Sequence, residues 1–376
     1  MKTILFVDDE PRVLEGLENL LRPHRREWKM TFVLGGNAAV DLLETQRFDV
    51  VVSDVRMPGI DGAALLRFVR DKYPDTVRVV LSGYADAEAS MRALPLAHQF
   101  LSKPCDPALL QSVLGRSCEL QSGLDDDALK RMVGKLERLP SLPTAYLALT
   151  KVLESENASI DDVAHIVESD VAMTAKILQL VNSPFFRTAQ RITGIRTAIA
   201  YLGLLTIRNL ALSAHVFAES KGTSGIPTQQ EHAMAVAVTA SRIVSDRSLS
   251  DDAFAAGMLH DVGKLVLAEY DPHYVKEVLE RTGPGGPPAY LMERGRFGVS
   301  HAEVGGYLLG LWGIPARVVE AVTGHHEPID STSPELRVRE AVYIANALCS
   351  TSAPAGPQLV AWRETFGHVV PKAPSP

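Results

Sequence analysis

The amino-acid sequence predicts a multidomain protein in which an α/β domain with a five-stranded parallel sheet precedes an all-α helical domain. Its 376 residues exceed the roughly 250–300 at which a single hydrophobic core stops growing, so two or more domains are expected. The first 120 residues alternate between short β-branched runs and longer amphipathic stretches, which is typical of βαβ units. After about residue 120, apolar residues recur at helical spacing and the strand pattern largely disappears.

Five β-branched runs predict the strands of the sheet, and turn residues bound each of them. The predicted strands are Thr3–Val7, Met30–Val33, Val50–Ser53, Arg78–Leu81 and Gln99–Ser102. Their nearly continuous Ile, Leu and Val content fits strands that are buried on both faces. Amphipathic patterns such as Pro11–Leu21 and Gly62–Lys72 predict helices between the strands.

The second part of the chain shows apolar residues at helical spacing, interrupted by Pro, Gly or Ser. The predicted helical segments are Thr144–Leu153, Ile160–Glu168, Ala172–Asn182, Thr197–Phe217, Glu231–Ser245, Ala253–Glu269 and His301–Leu311. Gly and Pro predict a loop at Thr282–Pro288, and Pro371–Pro376 is expected to be a loose tail. We therefore expect domains at residues 1–120 and 135–350, a linker or connecting helix at 121–134, and a partly flexible extension at 351–376.

The composition indicates a folded protein and excludes several classes of function. Hydrophobic residues make up 46% of the chain and charged residues 22%, close to the globular average. A net charge of −7 provides no basic field for nucleic acid or anionic lipid, so DNA binding is not expected. Without an apolar run of roughly 18–20 residues or a signal-peptide cleavage region, we expect a cytoplasmic protein with no membrane insertion. The widely spaced Cys105, Cys118 and Cys349 fit neither a disulfide framework nor a zinc motif.

Polar side chains follow four of the predicted strands. They are Asp8 and Asp9 after the first strand, Asp54 after the third, Ser82 after the fourth, and Lys103 with Pro104 after the fifth. Because the carboxyl ends of parallel strands share one crevice, these side chains are expected to meet. Three converging carboxylates repel one another unless a hard cation such as Mg²⁺ neutralises them.

This arrangement predicts transfer of a phosphoryl group to a carboxylate. Lys103 would provide a fixed counter-charge, Ser82 a hydrogen bond, and Asp54 the nucleophile that forms an aspartyl phosphate. Taken singly, Asp8-Asp9 could be an ordinary helix cap and the Asp54 segment an ordinary turn. Their joint placement at four strand ends favours the phosphoacceptor interpretation.

Four motifs in this region resemble the receiver domain of bacterial two-component response regulators, which has a flavodoxin-like α/β fold. They are Phe6–Glu10, Ser53–Gly62, Leu81–Ala85 and Leu101–Pro104. The resemblance implies that Asp54 is the phosphoacceptor, and that Asp8, Asp9, Asp54 and the backbone carbonyl of Arg56 bind Mg²⁺. It also implies that Ser82 and Phe100 form the switch pair and that the peptide bond before Pro104 is cis. A sensor histidine kinase would be the phosphodonor.

Histidines and an aspartate recur through the second part of the chain. They are His232, His260 with Asp261, His301, and His325 with His326. Imidazoles and carboxylates are the usual ligands of borderline divalent metals, and such a site could support hydrolysis. A histidine on a mostly apolar helix can equally be a hydrogen-bonded structural residue, and both interpretations stay open.

The order of these residues is similar to the metal-binding series of the HD phosphohydrolase superfamily, whose HD-GYP branch degrades cyclic di-GMP. Two departures distinguish this chain. The segment His325–Asp330 continues into Ser331 without the Gly-Tyr-Pro motif of that branch. Asn346 stands where the superfamily has its closing aspartate, and a neutral amide is a poor substitute for a charged ligand.

Further motifs resemble the HDOD domain, an HD-related output domain, over about residues 130–350. They are Leu139–Pro143, Ser169–Leu178, Val181–Pro184, Ala198–Leu205 and Gly257–Lys264. The resemblance implies an HD-like fold with an extra helical lobe, a metal site that is usually incomplete, and action through contact with other signalling proteins.

Together these observations predict a phosphorelay response regulator in which phosphorylation of Asp54 controls an HDOD output acting by protein–protein interaction. Its partners would be a sensor histidine kinase and a downstream signalling protein, and a homodimer is a further option. The alternative is a metal-dependent HD-type phosphohydrolase, such as a cyclic di-GMP phosphodiesterase gated by the receiver. Mg²⁺ is expected in the receiver, whereas a second divalent metal at the histidines stays an open question.

Overall fold

A computed structural model describes most of the chain, and two compact units are distinguished within it. The described residues are 1–82, 93, 96–122, 127–136, 139–141, 143–155, 158–182, 191–204, 207, 217–219, 226–282, 286–329, 336–350 and 357–371. The first unit is built on Met1–Glu137, and the second on most of the chain from Arg138 onward.

The first unit contains a five-stranded parallel sheet. Its strands are β1 (Lys2–Asp8), β2 (Trp28–Leu34), β3 (Val50–Asp54), β4 (Val77–Ser82) and β5 (Gln99–Ser102). They lie in the order β2-β1-β3-β4-β5. In an open parallel sheet of this kind, a ligand is expected at the carboxyl edge, at the point where the strand order reverses. All five predicted strands are confirmed, most of them one or two residues longer than expected.

Helices accompany the strands of this sheet. They are α1 (Pro11–Leu21), α2 (Gly36–Thr45), α3 (Gly62–Lys72), α4 (Pro107–Ser122) and α5 (Asp127–Gly134), with a 3₁₀ turn at Arg22–Arg26. The predictions for α1 and α3 are confirmed to the residue. Helix α5 lies in the stretch expected to link the domains and packs within the first unit, where Arg78 Nη2 donates to the Gly134 carbonyl at 3.0 Å.

The second unit is helical, as predicted, with one short pair of strands. Its helices are α6 (Pro143–Glu154), α7 (Ile160–Glu168), α8 (Val171–Val181), α9 (Ile195–Leu202), α10 (Ile226–Ile243), α11 (Ser250–Leu259), α12 (Val262–Tyr270), α13 (Tyr274–Glu277), α14 (Ala289–Phe297), α15 (His301–Leu311), α16 (Ala316–Gly324), α17 (Val338–Cys349) and α18 (Pro357–Phe366). Single 3₁₀ turns lie at Arg247–Leu249, Leu279–Arg281 and Gly367–Val369. The strands β6 (Leu139–Ser141) and β7 (Phe217–Glu219) pair in parallel.

Two helix predictions in this unit were too long. The segment predicted at Thr197–Phe217 is not one continuous helix: α9 ends at Leu202, because Gly203 has a positive φ of 79°, and Leu204 and Ile207 are again helical. Phe217 itself belongs to β7, and residues 205–206 and 208–216 lie outside the described part. The segment predicted at Ala253–Glu269 is divided at His260-Asp261 into α11 and α12.

Several expectations concern residues that are only partly described. Residues 283–285 of the predicted loop, 351–356 and 372–376 of the C-terminal extension, and 83–85 of the third receiver motif lie outside the described ranges. Within the described part of the chain, we found no helix that is both long and apolar enough to cross a membrane.

Candidate phosphoacceptor site and histidine cluster

Two of the predicted carboxylates meet one lysine at the carboxyl edge of the sheet. Asp8 ends β1 and Asp54 ends β3, and both are almost fully buried. The Lys103 ammonium lies 2.7 Å from Asp8 Oδ2 and also contacts Asp54 Oδ1. Lys103 therefore bridges two carboxylates that would otherwise repel each other in a poorly solvated position.

Backbone groups fix the remaining carboxylate oxygens. The Arg56 N–H donates to Asp54 Oδ2 at 2.7 Å, and the Glu10 N–H donates to Asp8 Oδ1 at 3.0 Å. A Cβ atom at Gly62 would lie 2.0 Å from the Asp54 carbonyl oxygen, so only glycine allows α3 to begin this close to β3. These contacts hold the Asp54 carboxylate in one orientation.

The electrostatics of the pair follow from its burial. Burial raises the pKa of Asp54, and the hydrogen bond and charge of Lys103 only partly oppose this effect. Burial by itself would lower the pKa of Lys103, but its bonds to Asp54 and Asp8 outweigh that effect and raise it. Lys103 is therefore charged at neutral pH.

The remaining predicted residues lie beside this pair. Ser82 ends β4, is fully buried and faces Ser102 in the register of β5. The Lys103 N–H donates to the Ser82 carbonyl at 2.8 Å, and the Lys103–Pro104 bond is cis. Phe100 on β5 is buried opposite Val80 of β4.

The carboxylates of Asp8, Asp9 and Asp54 have the oxygen chemistry that Mg²⁺ prefers. Asp9 is half-buried and follows β1 directly. Among the described residues, the groups with three ligand atoms within 4.8 Å of one another lie in the helical unit and not at this edge of the sheet. The donor set therefore fits Mg²⁺ in its chemistry. In this structure Lys103 lies between Asp8 and Asp54, and its ammonium is the cation that the two carboxylates share.

All six residues of the predicted histidine series converge in the second unit. We call this group the histidine cluster; its members are His232 on α10, His260 and Asp261 between α11 and α12, His301 at the start of α15, and His325 and His326 after α16. Adjacent side chains on a regular helix point about 100° apart. The break between α11 and α12 lets both His260 and Asp261 reach the cluster.

Three imidazoles form one side of this cluster. His301 Nε2 lies 3.3 Å from His325 Nε2 and 3.0 Å from His326 Nε2. Asp261 Oδ1 lies 3.1 Å from His301 Nε2 and 3.8 Å from His325 Nε2. Tyr290 stacks on the His326 ring with the centroids 4.5 Å apart.

A buried glutamate orients His301. Glu293 Oε2 accepts from His301 Nδ1 at 2.6 Å and from the His301 backbone N–H at 2.7 Å. Glu293 Oε1 accepts the hydroxyl of Tyr274 at 2.6 Å. Sequence reasoning missed both Glu293 and Tyr274, because neither lies at a recognisable spacing from the histidines. Their role depends on the packing of α13 and α14 against α15.

The other side of the cluster is already engaged by protein groups. His232 Nε2 lies 3.0 Å from Asn346 Oδ1, and Lys264 Nζ donates to Asp261 Oδ2 at 2.6 Å. His260 Nδ1 lies 2.7 Å from the Gly257 carbonyl, and its buried Nε2 lies 3.4 Å from Asp261 Oδ2. Lys264 was part of a predicted motif but was not among the predicted site residues.

Burial keeps three of these histidines neutral. It lowers the pKa of His232 to about 4 and that of His326 to about 3, and it places the pKa of His325 well below the ordinary value. Burial would also lower the pKa of His301, but the charge of Glu293 outweighs it and raises this pKa. For Asp261, burial is outweighed by the charges of His260 and Lys264, so its pKa is well below the ordinary value.

The fold and the two sites define a class of protein: a receiver-type α/β domain joined to an HD-like helical domain. Family models agree with this class. The response regulator receiver domain matches residues 4–114, and the HDOD domain matches residues 139–328, about half of the chain. The chain therefore belongs to the HDOD family and carries a receiver domain, which makes it a response regulator with an HDOD output domain.

Individual relatives match parts of the chain. The chain is 35% identical over 127 residues to the hydrogenase transcriptional regulatory protein HoxA of Cupriavidus necator, covering 33% of this chain and 26% of that protein. It is 24% identical over 225 residues to an uncharacterized protein of Treponema pallidum, covering 59% and 44% respectively. The chain thus spans less than half the length of these relatives.

One solved structure shares the fold of part of the chain. The crystal structure of the MmoQ response regulator of Methylococcus capsulatus superposes with a TM-score of 0.53, covering 62% of this chain and 98% of that one. Their sequence identity is 24%, so this likeness concerns the fold alone.

Proposed function

We propose that this response regulator accepts a phosphoryl group on Asp54 from a sensor histidine kinase and thereby changes how its HDOD domain contacts a downstream signalling protein. One observation carries the proposal: the buried Asp54 carboxylate lies between the Arg56 N–H and the Lys103 ammonium at the carboxyl edge of the sheet. A carboxylate held in this way is oriented for attack on phosphorus and has a counter-charge beside it.

The proposed transfer makes one bond and breaks one. A carboxylate oxygen of Asp54 attacks the phosphorus of a phosphohistidine, a P–O bond forms, and the P–N bond breaks with its electron pair left on the imidazole. Lys103 balances the charge on the transferred group, and the Ser82 hydroxyl binds one of its oxygens. Asp8, Asp9 and the Arg56 carbonyl would hold Mg²⁺, which supplies further charge neutralisation when bound.

The signal would then travel from Asp54 through β4 to β5. A phosphoryl group adds roughly −1.5 to −2 charges at one point, which draws Ser82 toward it at the end of β4. Phe100 is buried on the neighbouring strand and has no hydroxyl, so its response is a change of packing. We infer that this repacking alters the surface that the receiver presents.

Labelling with a small phosphodonor and Mg²⁺ tests the acceptor. The intact protein is expected to gain the mass of one phosphoryl group, and Asp54→Asn is expected to gain none. Asp61→Asn is the matched control: Asp61 caps α3 by accepting the Ala64 N–H at 2.8 Å, and asparagine caps equally well. Labelling that persists in Asp54→Asn would place the acceptor elsewhere.

A second experiment tests the output. The full chain, phosphorylated in one sample and carrying Asp54→Asn in the other, is used to retain partners from a cell extract. We expect at least one protein whose retention differs between the two forms and whose binding is reproduced with purified components. Equal retention of every partner would contradict control of the output by Asp54. Light scattering on the same samples tests a homodimer.

A second candidate function is that of a metal-dependent phosphohydrolase acting on a phosphodiester such as cyclic di-GMP. The observation in its favour is the convergence of all six members of the histidine cluster. Against it stand Asn346 beside His232 and the missing Gly-Tyr-Pro motif. Incubation of the metal-loaded protein with cyclic di-GMP tests it by chromatography, with His260→Ala and Asp261→Ala as controls. An unchanged substrate in the presence of bound metal would exclude this activity.

A further inference from the structure

We propose that the helical unit binds a nucleotide in a cavity of about 770 Å³ between the 3₁₀ turn at Arg247–Leu249, α16 and the start of α17. We call it the arginine cavity. Its volume lies within the range of about 300–1,000 Å³ that is usual for small-molecule sites. The described residues that line it include no member of the histidine cluster. The proposal depends neither on phosphorylation of Asp54 nor on hydrolysis.

The wall of the arginine cavity at the start of α17 is held from two sides. The Ser245 N–H donates to the Leu336 carbonyl at 3.0 Å, and the Leu336 N–H donates to Ser245 Oγ at 2.8 Å. A Cβ atom at Gly324 would lie 2.8 Å from Arg339 Nε, so glycine there lets the Arg339 side chain lie against the end of α16. These contacts fix the segment that carries Arg337 and Arg339.

Three arginines line the arginine cavity: Arg317 on α16, and Arg337 and Arg339 at the start of α17. Arg317 Nη1 lies 3.7 Å from Asp252 Oδ2, and Arg339 Nη2 lies 3.2 Å from Glu327 Oε2. The two arginine side chains are 67% and 37% exposed, and ion pairs at such positions contribute little to stability. A phosphate group can therefore compete for both guanidinium groups, which bind phosphate through paired N–H donors.

The first turn of α17 adds backbone donors to the same wall. Arg337 is the N-cap residue of this 12-residue helix, and its side chain makes no capping hydrogen bond. Val338, Arg339 and Glu340 follow it and also line the cavity. The N–H groups of a first helical turn have no partner within the helix, and the positive end of the helix dipole favours an anion there. Both features support a phosphate beside the arginines.

Three carboxylates also line the arginine cavity, and they disfavour a ligand that is only an anion. Asp246 is occupied, because it accepts the Ser248 N–H at 2.9 Å and caps the 3₁₀ turn. Glu320 and Glu340 are the other two. Carboxylate oxygens accept hydrogen bonds and do not donate them, so these glutamates require a ligand that also has N–H groups.

Two buried atoms on neighbouring residues support a ligand with both kinds of group. Arg339 Nε is a donor and Glu340 Oε2 an acceptor, and neither has a hydrogen-bond partner within the described part of the chain. Buried polar atoms are nearly always paired, so each such atom needs an explanation. Because both residues line the cavity, we expect a rotation of each side chain to bring these atoms to the ligand.

A nucleotide combines the properties that the walls require. Its phosphates match the three arginines, and the N–H groups of its base match Glu320 and Glu340. Leu249 and Leu336 supply apolar surface for the flat ring of the base. Inorganic phosphate or pyrophosphate would meet the arginines but leave the glutamates as repelling charges.

Isothermal titration calorimetry of the full chain tests the proposal. GDP, ADP and pyrophosphate are titrated in the presence of EDTA, so that no metal takes part. We expect at least one of the two nucleotides to bind at one site per chain, and pyrophosphate to bind at least about tenfold more weakly, because it lacks N–H groups. No binding of either nucleotide, or equal affinity for nucleotide and pyrophosphate, would overturn the proposal.

Two conservative variants assign the binding to this cavity. Arg337→Gln is expected to weaken nucleotide binding about tenfold, since one charged hydrogen bond to phosphate is lost. Glu340→Gln is expected to reduce the preference for nucleotide over pyrophosphate, because it removes both an acceptor charge and a repulsion. Arg363→Gln, at an exposed position on α18, is the matched control, and circular dichroism checks each fold. Equal nucleotide affinity in Arg337→Gln and Arg363→Gln, or an unchanged preference in Glu340→Gln, would refute the assignment.

Discussion

At the scale of single residues, Lys103 determines the charge balance of the proposed phosphoacceptor site. It reaches Asp8 and Asp54 from the loop after β5, and its ammonium is the cation that both buried carboxylates share. The repulsion between these two carboxylates therefore depends on the number of positive charges beside them, whether the charges come from the lysine or from Mg²⁺.

We predict that Lys103→Met lowers the free energy of unfolding of the receiver by about 1–3 kcal/mol, because two buried carboxylates lose their shared partner. Adding Mg²⁺ should recover part of the loss in this variant, since the ion replaces the missing charge. Urea unfolding at neutral pH with and without Mg²⁺ measures both effects. Lys72→Met removes an exposed lysine and serves as the control. Equal stability of Lys103→Met and the unmodified protein would contradict the prediction.

Asp49 is a second residue whose charge supports the receiver. Its Oδ2 accepts from the Thr3 N–H and hydroxyl, both at 2.7 Å, and its Oδ1 lies 3.1 Å from Lys2 Nζ. Burial acts to raise the pKa of Asp49, but these hydrogen bonds and the lysine outweigh it and lower the pKa. Asp49 is the residue directly before β3, and its side chain thus joins this position to the start of β1.

This lowered pKa predicts a pH-dependent contribution to stability. A carboxyl with a lower pKa in the folded state stabilises the fold above the unfolded pKa, about 3.9, and loses that effect as the pH falls through the folded pKa. We expect Asp49→Asn to destabilise the receiver by about 1–2 kcal/mol at pH 7, and the difference to shrink steadily below pH 4. Urea unfolding between pH 3 and pH 7 measures it. A difference that is constant over this range would count against the ionic role.

At the scale of elements, the contact between α12 and α15 determines where His301 lies. A Cβ atom at Gly263 would lie 1.9 Å from the His301 carbonyl oxygen and 2.8 Å from the Gly305 backbone nitrogen. Because both contacts are with backbone, no side-chain movement could relieve them. Glycine at this position lets the two helices approach closely enough to assemble the histidine cluster.

We predict that Gly263→Ala forces α12 and α15 apart and destabilises the helical unit by about 1–3 kcal/mol. Gly295→Ala is the matched control, because Gly295 lies within α14 and a Cβ atom there would meet no atom within 4 Å. That change should stabilise the protein by about 0.4–1 kcal/mol, since alanine restricts the unfolded chain. Thermal unfolding followed by circular dichroism compares them. If the unfolding temperature shifted in the same direction in both variants, the close packing at Gly263 would not determine the stability of the helical unit.

At the scale of the whole molecule, the chain divides into two compact units. The receiver unit holds the proposed phosphoacceptor site, and the helical unit holds the histidine cluster. A ligand that binds one folded unit stabilises that unit by mass action. Ligand binding at each site can therefore be followed in the intact protein by the unfolding transition that it shifts.

We expect calorimetry of the full chain to show that Mg²⁺ with beryllofluoride, a mimic of the phosphoryl group, raises the unfolding temperature of the receiver. At a ligand concentration 100 times the dissociation constant, the gain would be about 2.7 kcal/mol. Asp54→Asn should abolish this shift, while His326→Ala should leave it unchanged. A shift that survives in Asp54→Asn would mean that beryllofluoride binds outside the predicted site.

The sequence by itself determined the five strands of the receiver and most helices of the second unit, because both depend on local periodicity. It also predicted the placement of Asp8, Asp54 and Lys103 at one edge, since parallel strands bring their carboxyl ends together whatever their separation along the chain. Positions such as Gly203 and the break at His260-Asp261 were less predictable, because a local change of backbone direction interrupts an otherwise continuous apolar pattern.

Only the tertiary structure decided how the histidine cluster is divided. The sequence contains six ligand-type residues in the order typical of a metal centre, but it does not show which atoms are already in use. Glu293 behind His301, Lys264 on Asp261 and Asn346 on His232 became apparent only when distant helices were packed together. Hydrogen-bond partners across helices depend on distances of a few tenths of an ångström, and no periodicity along the chain encodes them.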